Sequence, residues 1–229
     1  MRAVVLSGGL THDFPATTDC LCELLVEQGL DPEVHTDVDD ALHALHGAAL
    51  LVVNALRWTM TGETTPERYR MQAATEGASP SNGARAALAL HLRDGGGLLG
   101  MHTASICFDD WPEWGETLGG AWVWGTSNHP PLGPQVRVQV AATHPLVDGL
   151  DDFTILDEVY GGLARHTDTD GLLLAPQPGT DDPQHPLLWA RDHGGGRVVY
   201  DALGHHPPSY EVPEHREIVR RAIRWTTSG

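Results

Sequence analysis

Apolar residues follow two alternating rhythms along the first half of the chain. Short unbroken runs, Ala3-Val4-Val5-Leu6 and Ala49-Leu50-Leu51-Val52-Val53, are the mark of strands buried on both faces. Between them Leu21, Leu24 and Leu25 recur at helical spacing up to Gly29, with Thr17 or Thr18 as the expected cap. Glu33-Val34-His35 reads as a weaker second strand and Asp37 to Leu45 as a short helix with acidic caps. Strand, helix, strand, helix, strand predicts a parallel sheet with right-handed crossovers. Residues 55–81 break the rhythm with Thr, Gly, Ser and Pro, and predict a long loop with one helical turn near Arg68 to Ala73. A helix over Gly83 to Arg93, capped by Asn82, restores the pattern.

The pattern then turns on Gly95-Gly96-Gly97-Leu98-Leu99-Gly100-Met101-His102-Thr103-Ala104. Glycines lead into a buried strand, and the strand ends in Gly-x-His-x-Ala. Small residues on both sides of a central residue are what a strand-to-helix elbow needs to present a side chain at the carboxyl end of a sheet. That residue is His102, expected to point into a crevice. Beyond it, Pro112 and Gly119 frame a short helix. Val136 to Val140 alternates as an antiparallel strand with one wet face, and His144-Pro145-Leu146 is a turn. The segment Phe153 to Tyr160 carries Asp157-Glu158. Leu172 to Leu174, Leu187 to Trp189 and Val198 to Tyr200 predict three more strands, the last two joined at Gly194-Gly195-Gly196. Glu214 to Trp225 predicts a terminal helix.

The 229 residues fit one domain, and 41% apolar residues supply a full core. Against 14 Lys and Arg stand 31 Asp and Glu, for a net charge of -17. Such a surface repels phosphate backbones and anionic lipid, so nucleic acid and membrane are not expected partners. The three cysteines, Cys20, Cys22 and Cys107, have no disulfide-framework spacing. The chain opens on a strand pattern rather than a leader, and a cytoplasmic location is expected.

Several pieces, in this order, resemble the trehalose-utilisation (ThuA-like) family of the class I glutamine amidotransferase-like superfamily. They are the Thr11-His12-Asp13-Phe14 loop after the first strand, Gly96 to His102, Trp111-Pro112-Glu113-Trp114 with Leu118-Gly119-Gly120, and His144-Pro145-Leu146. Asp157-Glu158-Val159-Tyr160 and Gly195 to Tyr200 running into Leu203-Gly204-His205 complete the set. The resemblance implies an α/β, flavodoxin-like three-layer sandwich, with a central parallel sheet and an added antiparallel section. It implies one domain over residues 1–229, with an insertion or lid at about 55–81, and a role in sugar metabolism. The superfamily's amidotransferases carry a cysteine nucleophile at the elbow. Here His102 stands there, and Cys107 lies too far along to replace it, so a thioester mechanism is not expected.

Ligands of parallel sheets bind at the carboxyl ends of the strands. His12 follows the first strand, His102 the central one and His205 the last, the place of the superfamily's catalytic histidine. His129, Asp157 and Glu158 are expected to reach the same edge from the antiparallel section. For each histidine a purely structural role competes: His102 holding its turn, His12 in a cap network, His205 as a surface loop residue. Two mechanisms fit. In one, His102 and His205 with His12, His129 or Glu158 bind a divalent metal such as zinc, which polarises a sugar carbonyl or hydroxyl. In the other, His205 and Glu158 serve as general base and acid while His102 orients a substrate oxygen. Trp111 and Trp114, within a cluster that includes Trp122 and Trp124, offer flat faces for a sugar ring, or else fill the core. Asp109 can bond sugar hydroxyls, and His129 joins the substrate contacts. The expected partner is a small-molecule sugar, with a homo-oligomer left open. A non-catalytic sugar-binding module and a glutaminase are the competing functions.

Overall fold

A computed structural model describes residues 1–178 and 184–228. In chain order the elements are β1 (Arg2–Gly9), α1 (Phe14–Glu27), β2 (Asp31–His35), α2 (Val38–His43), β3 (Leu50–Leu56), α3 (Glu67–Arg70) and α4 (Ala73–Glu76). Then follow α5 (Asn82–Arg93), β4 (Gly97–Met101), α6 (Pro112–Leu118), β5 (Gly120–Ala121), β6 (Val136–Val140) and β7 (Phe153–Ile155). The last are β8 (Ala164–Arg165), β9 (Leu173–Ala175), β10 (His185–His193), β11 (Gly196–Asp201) and α7 (Pro213–Thr227). One nine-stranded sheet has the order β2-β1-β3-β4-β11-β10-β9-β6-β7. From β2 to β11 neighbouring strands run parallel. From β11 outward every pairing is antiparallel. This is the expected α/β fold with an added antiparallel section, and its parallel half has the flavodoxin-like strand order.

The central strands read as apolar runs because both faces are covered: every residue of β3 and β4 is buried. Helices α1 and α7 cover one face and pack on each other, tied by Glu27 to Arg216 and Arg220; α2 and α5 cover the other. The β10–β11 hairpin turns on Gly194 and Gly195, both at positive φ, as a two-residue turn matching strand twist requires.

Some element ends differ from expectation for identifiable reasons. Helix α1 starts at Phe14, not after Thr17 or Thr18, because Asp13 caps it by accepting from the Ala16 amide. The two threonines lie inside the helix, where their hydroxyls bond Asn54 and Ser7. Ser81, not Asn82, caps α5. Residues 57–78 carry two short helices and bury Trp58 and Met60 in a second apolar cluster with Phe14, Leu56, Ile106 and Tyr160. Cys107 is buried with its thiol against the Ala55 carbonyl, and burial pushes it up to about 12. No helix among the described residues is long and apolar enough to cross a membrane.

Candidate metal centre

The carboxyl ends of β1, β4 and β11 each deliver one histidine to the same edge. His102 follows β4 with φ +43, a left-handed conformation rare for a non-glycine residue. The approach is tight: a side chain on Gly100 would stand 2.6 Å from Leu118 Cδ1. The ring is not in open space, as an elbow predicts, but 2% exposed. Its Nδ1 donates to the Ala202 carbonyl at 2.7 Å, which leaves Nε2 as an acceptor facing the other side chains. His12 rises from the loop after β1, with Nδ1 near Thr11 Oγ1 (3.1 Å) and the Leu10 carbonyl (3.3 Å).

Asp157 builds the rest. Fully buried, its carboxylate accepts from the Glu158 amide (2.8 Å), the Gly204 amide (2.8 Å), the His205 amide (3.3 Å) and Ser209 Oγ (2.6 Å). This one side chain therefore fixes the segment that carries Glu158 and the loop that carries His205. Gly204 makes that loop possible: at φ +101, a Cβ there would meet the Tyr210 hydroxyl at 2.6 Å. Gly204→Ala is therefore expected to cost about 1–3 kcal/mol through backbone strain. A lowered melting temperature checks it; an unchanged one contradicts the role given to this turn.

His12, His102, Glu158 and His205 each offer one ligand atom, and these atoms lie within 4.8 Å of one another. His102 Nε2 is 3.3 Å from His205 Nδ1, and Glu158 Oε2 is 3.4 Å from both. Two ligands about 2.1 Å from one ion at the tetrahedral angle lie roughly 3.4 Å apart, so the mutual spacing of His102, His205 and Glu158 fits a single zinc-like ion, with His12 standing further out. His12 Nε2 is shut off from water without a hydrogen-bond partner, and Glu158 Oε2, equally shut off, has its 3.4 Å ion-pair contacts with His102 and His205 in place of a close hydrogen bond, an expensive arrangement unless something binds there. Burial, then the nearby His102 and His205 charges, lowers His12 to about 4 and keeps it neutral, as a ligand must be. Burial alone would raise Glu158, but its contacts with His102 and His205 outweigh that and hold it ionised. For His102 burial works downward, while Glu158 and Asp157 carry the net shift upward.

Of the other residues singled out from the sequence, His129 stands beside the cluster with Nδ1 3.3 Å from Glu158 Oε1 and a side chain 38% exposed. Trp111 and Trp114 are in the core instead of facing the cluster. Trp114 is 1% exposed and donates from Nε1 to the Ala104 carbonyl, and Trp111 is wedged between it and the Arg85 guanidinium. The expectation that these two rings stack on a sugar fails, because their faces are already covered. Asp109 bonds the Thr59 amide and hydroxyl. Sequence reasoning assigned no role to Tyr160, whose hydroxyl is 3.0 Å from His102 Nε2. Burial raises that phenol, so it stays protonated. Its place two residues after Glu158 was the available signal.

A family profile described as ThuA, trehalose utilisation, matches residues 2–226. Among solved structures, a ThuA-like protein from Parabacteroides merdae ATCC 43184 superposes with TM-score 0.78 at 17% identity, covering 100% of this chain and 90% of that one. The cytoplasmic protein STM1381 from Salmonella typhimurium LT2 gives 0.62 at 14%, covering 99% and 97%. A beta-galactosidase from Bacillus circulans sp. alkalophilus gives 0.57 at 13%, with 95% of this chain on 30% of that one. Among curated proteins none matches the chain.

Proposed function

Because the chain belongs to the ThuA trehalose-utilisation family, whose name implies a role in carbohydrate metabolism, we propose that it is a metal-dependent enzyme acting on a sugar or keto-sugar derivative. His12, His102, His205 and Glu158 hold the divalent ion, zinc fitting the donor set. The observation that carries this reading is the gathering of four ligand atoms within 4.8 Å of one another, with His12 Nε2 buried and without a hydrogen-bond partner. An ion bound there would polarise a sugar carbonyl and so acidify the neighbouring C–H, or acidify the O–H of a bound hydroxyl.

The chain's own groups supply the rest. The Ala202 carbonyl fixes the His102 tautomer, and Asp157 holds Glu158 and the His205 loop in register. Tyr160, protonated and beside His102, is placed to donate to a substrate oxygen. His129, against Glu158 Oε1 and partly open to solvent, is placed to carry a proton between substrate and water. A carbonyl substrate suits this set: return of the abstracted proton to the neighbouring carbon would give isomerase chemistry, departure of a β leaving group that takes up a proton would give lyase chemistry, and addition of water after that departure would give net hydrolysis.

The test is metal analysis with turnover. Purified protein given zinc is expected to retain about one ion per chain. His102→Ala and His12→Ala should lose more affinity than the roughly 10–100-fold typical of a lost outer-shell partner. Turnover of 3-keto-disaccharides should vanish with chelator, return with metal and be absent in His102→Ala. Turnover that survives both chelation and His102→Ala overturns the proposal. Saccharide binding without turnover across a broad panel points instead to a non-catalytic binding module.

A further inference from the structure

His102 reaches the centre on a strained backbone. Its φ of +43 lies in the left-handed region, where a residue with a Cβ is costly. Strain of this kind persists only where the surroundings hold it, and here the neighbouring strand does so. Strand β11 runs parallel to β4, with Tyr200 opposite Gly100 and Asp201 opposite Met101. The Tyr200 hydroxyl donates to the His102 carbonyl at 2.7 Å. Two residues on, the Ala202 carbonyl receives His102 Nδ1, also at 2.7 Å. One strand end thus grips the residue twice, once by its backbone and once by its ring.

Both grips are themselves fixed. A phenol has one hydrogen, and Tyr200 spends it on a carbonyl that can only accept. The Ser105 hydroxyl, 2.9 Å away, is therefore the donor to the phenol oxygen. Tyr200 and Ser105 are 0% and 2% exposed, and the Tyr200 ring lies against Trp189 with centroids 4.4 Å apart. Phenylalanine would fill that volume equally well, so packing does not call for the hydroxyl. Its partners are the carbonyl of the strained residue and a side chain of the same turn. Ala202 is held on both sides. Its amide donates to the Leu187 carbonyl at 2.7 Å, and the next amide, of Leu203, donates to Asp201 Oδ1 at 3.0 Å.

We infer that Tyr200, backed by Ser105, is a positioning residue of the centre: its hydroxyl acts through the His102 carbonyl and holds the left-handed turn that aims Nε2 at Glu158 and His205. It touches neither an ion nor a substrate. The role rests on the reading of His102 as a metal ligand proposed above.

The test is zinc competition and cobalt(II) spectroscopy on the whole chain, comparing wild type with Tyr200→Phe, Ser105→Ala and Thr226→Val. Tyr200→Phe removes one oxygen and keeps the ring. Thr226→Val removes another buried hydroxyl, on α7 and bonded to Ala222 and Ile223, and so reports what such a loss does by itself. The visible bands of cobalt(II) in a zinc site follow ligand geometry, so they read the aim of His102 and not the stability of the fold. Tyr200→Phe is expected to bind zinc roughly 10–100-fold more weakly and to alter the cobalt spectrum. Ser105→Ala should move both in the same direction by less, and Thr226→Val should move neither. Circular dichroism confirms each fold, and Ser105→Ala carries the test if Tyr200→Phe does not fold. Wild-type affinity and spectrum in every folded variant of Tyr200 and Ser105, or an equal loss of affinity in Thr226→Val, overturns the inference. Wild-type protein that takes up neither metal overturns the metal reading itself, and this role with it.

Discussion

Asp157→Ala is expected to be among the most damaging single substitutions in this protein, although Asp157 touches no solvent and is not among the candidate ligands. Its carboxylate receives four hydrogen bonds, three buried ones from Glu158, Gly204 and Ser209 and a part-buried one from His205. Removing it orphans those donors at about 1–3 kcal/mol for each that water cannot reach. Relaxation reduces the sum, and about 3–5 kcal/mol is the range for breaking a buried charged network. Asp157→Asn should be milder but still harmful, because its amide nitrogen would face donors where an oxygen accepted. The metal readout separates positioning from bulk stability. At a temperature where both proteins are folded, Asp157→Asn should bind zinc roughly 10–100-fold more weakly, as expected when a group that orients ligands is altered. Ser209→Ala, which removes a single donor, should have a melting temperature between those of Asp157→Asn and wild type. Wild-type metal affinity in Asp157→Asn would show that the two ligand-bearing segments hold their places without this carboxylate.

The same residue shows where reading the sequence stops. Strands β1, β3 and β4 were legible because a strand covered on both faces must be apolar throughout, and that leaves a mark in consecutive residues. Helix α6 was legible from Pro112 and Gly119, the latter in the left-handed conformation that ends a helix. The convergence of His12, His102 and His205 followed from topology alone, since each comes after a parallel strand. What local pattern cannot carry is a role defined by distant donors. Asp157 looks like an ordinary acidic residue until Gly204, His205 and Ser209 are folded against it. Tyr160 looks like a core aromatic until its hydroxyl meets His102. The tryptophans fail in the same way: their clustering marked the right neighbourhood, but only packing shows that Arg85 covers Trp111 while Trp122 keeps a free donor. Strands β5 and β8, two residues each, are too short to have a period at all.

A second large effect is expected away from the centre, at His215. This ring is fully buried on α7, with Nδ1 2.8 Å from the Ser209 carbonyl and Nε2 3.1 Å from Asp201 Oδ2. A carbonyl and a carboxylate only accept, so both ring nitrogens must donate, and the residue in place is an imidazolium. Burial works against that charge, but the Asp201 carboxylate outweighs it and raises the folded pKa above 6.5. A raised pKa means the folded state holds its proton more tightly than the unfolded chain. The stabilisation is fully present below the unfolded value of about 6.5 and is lost as pH rises through the folded value. Melting temperature should therefore fall as pH climbs from about 6.5, with this group contributing a slope of at most about 1.4 kcal/mol per pH unit. His102 titrates in the same direction, so the comparison must isolate His215. His215→Leu should lower stability by about 3–5 kcal/mol near neutral pH, because Asp201 is left buried with its charge uncompensated. The loss should shrink with rising pH, as wild type gives up the same proton. Parallel melting curves of wild type and His215→Leu from about pH 6 to 9 would instead mean that the ring is neutral in the fold. One of its two close contacts would then be an acceptor facing an acceptor.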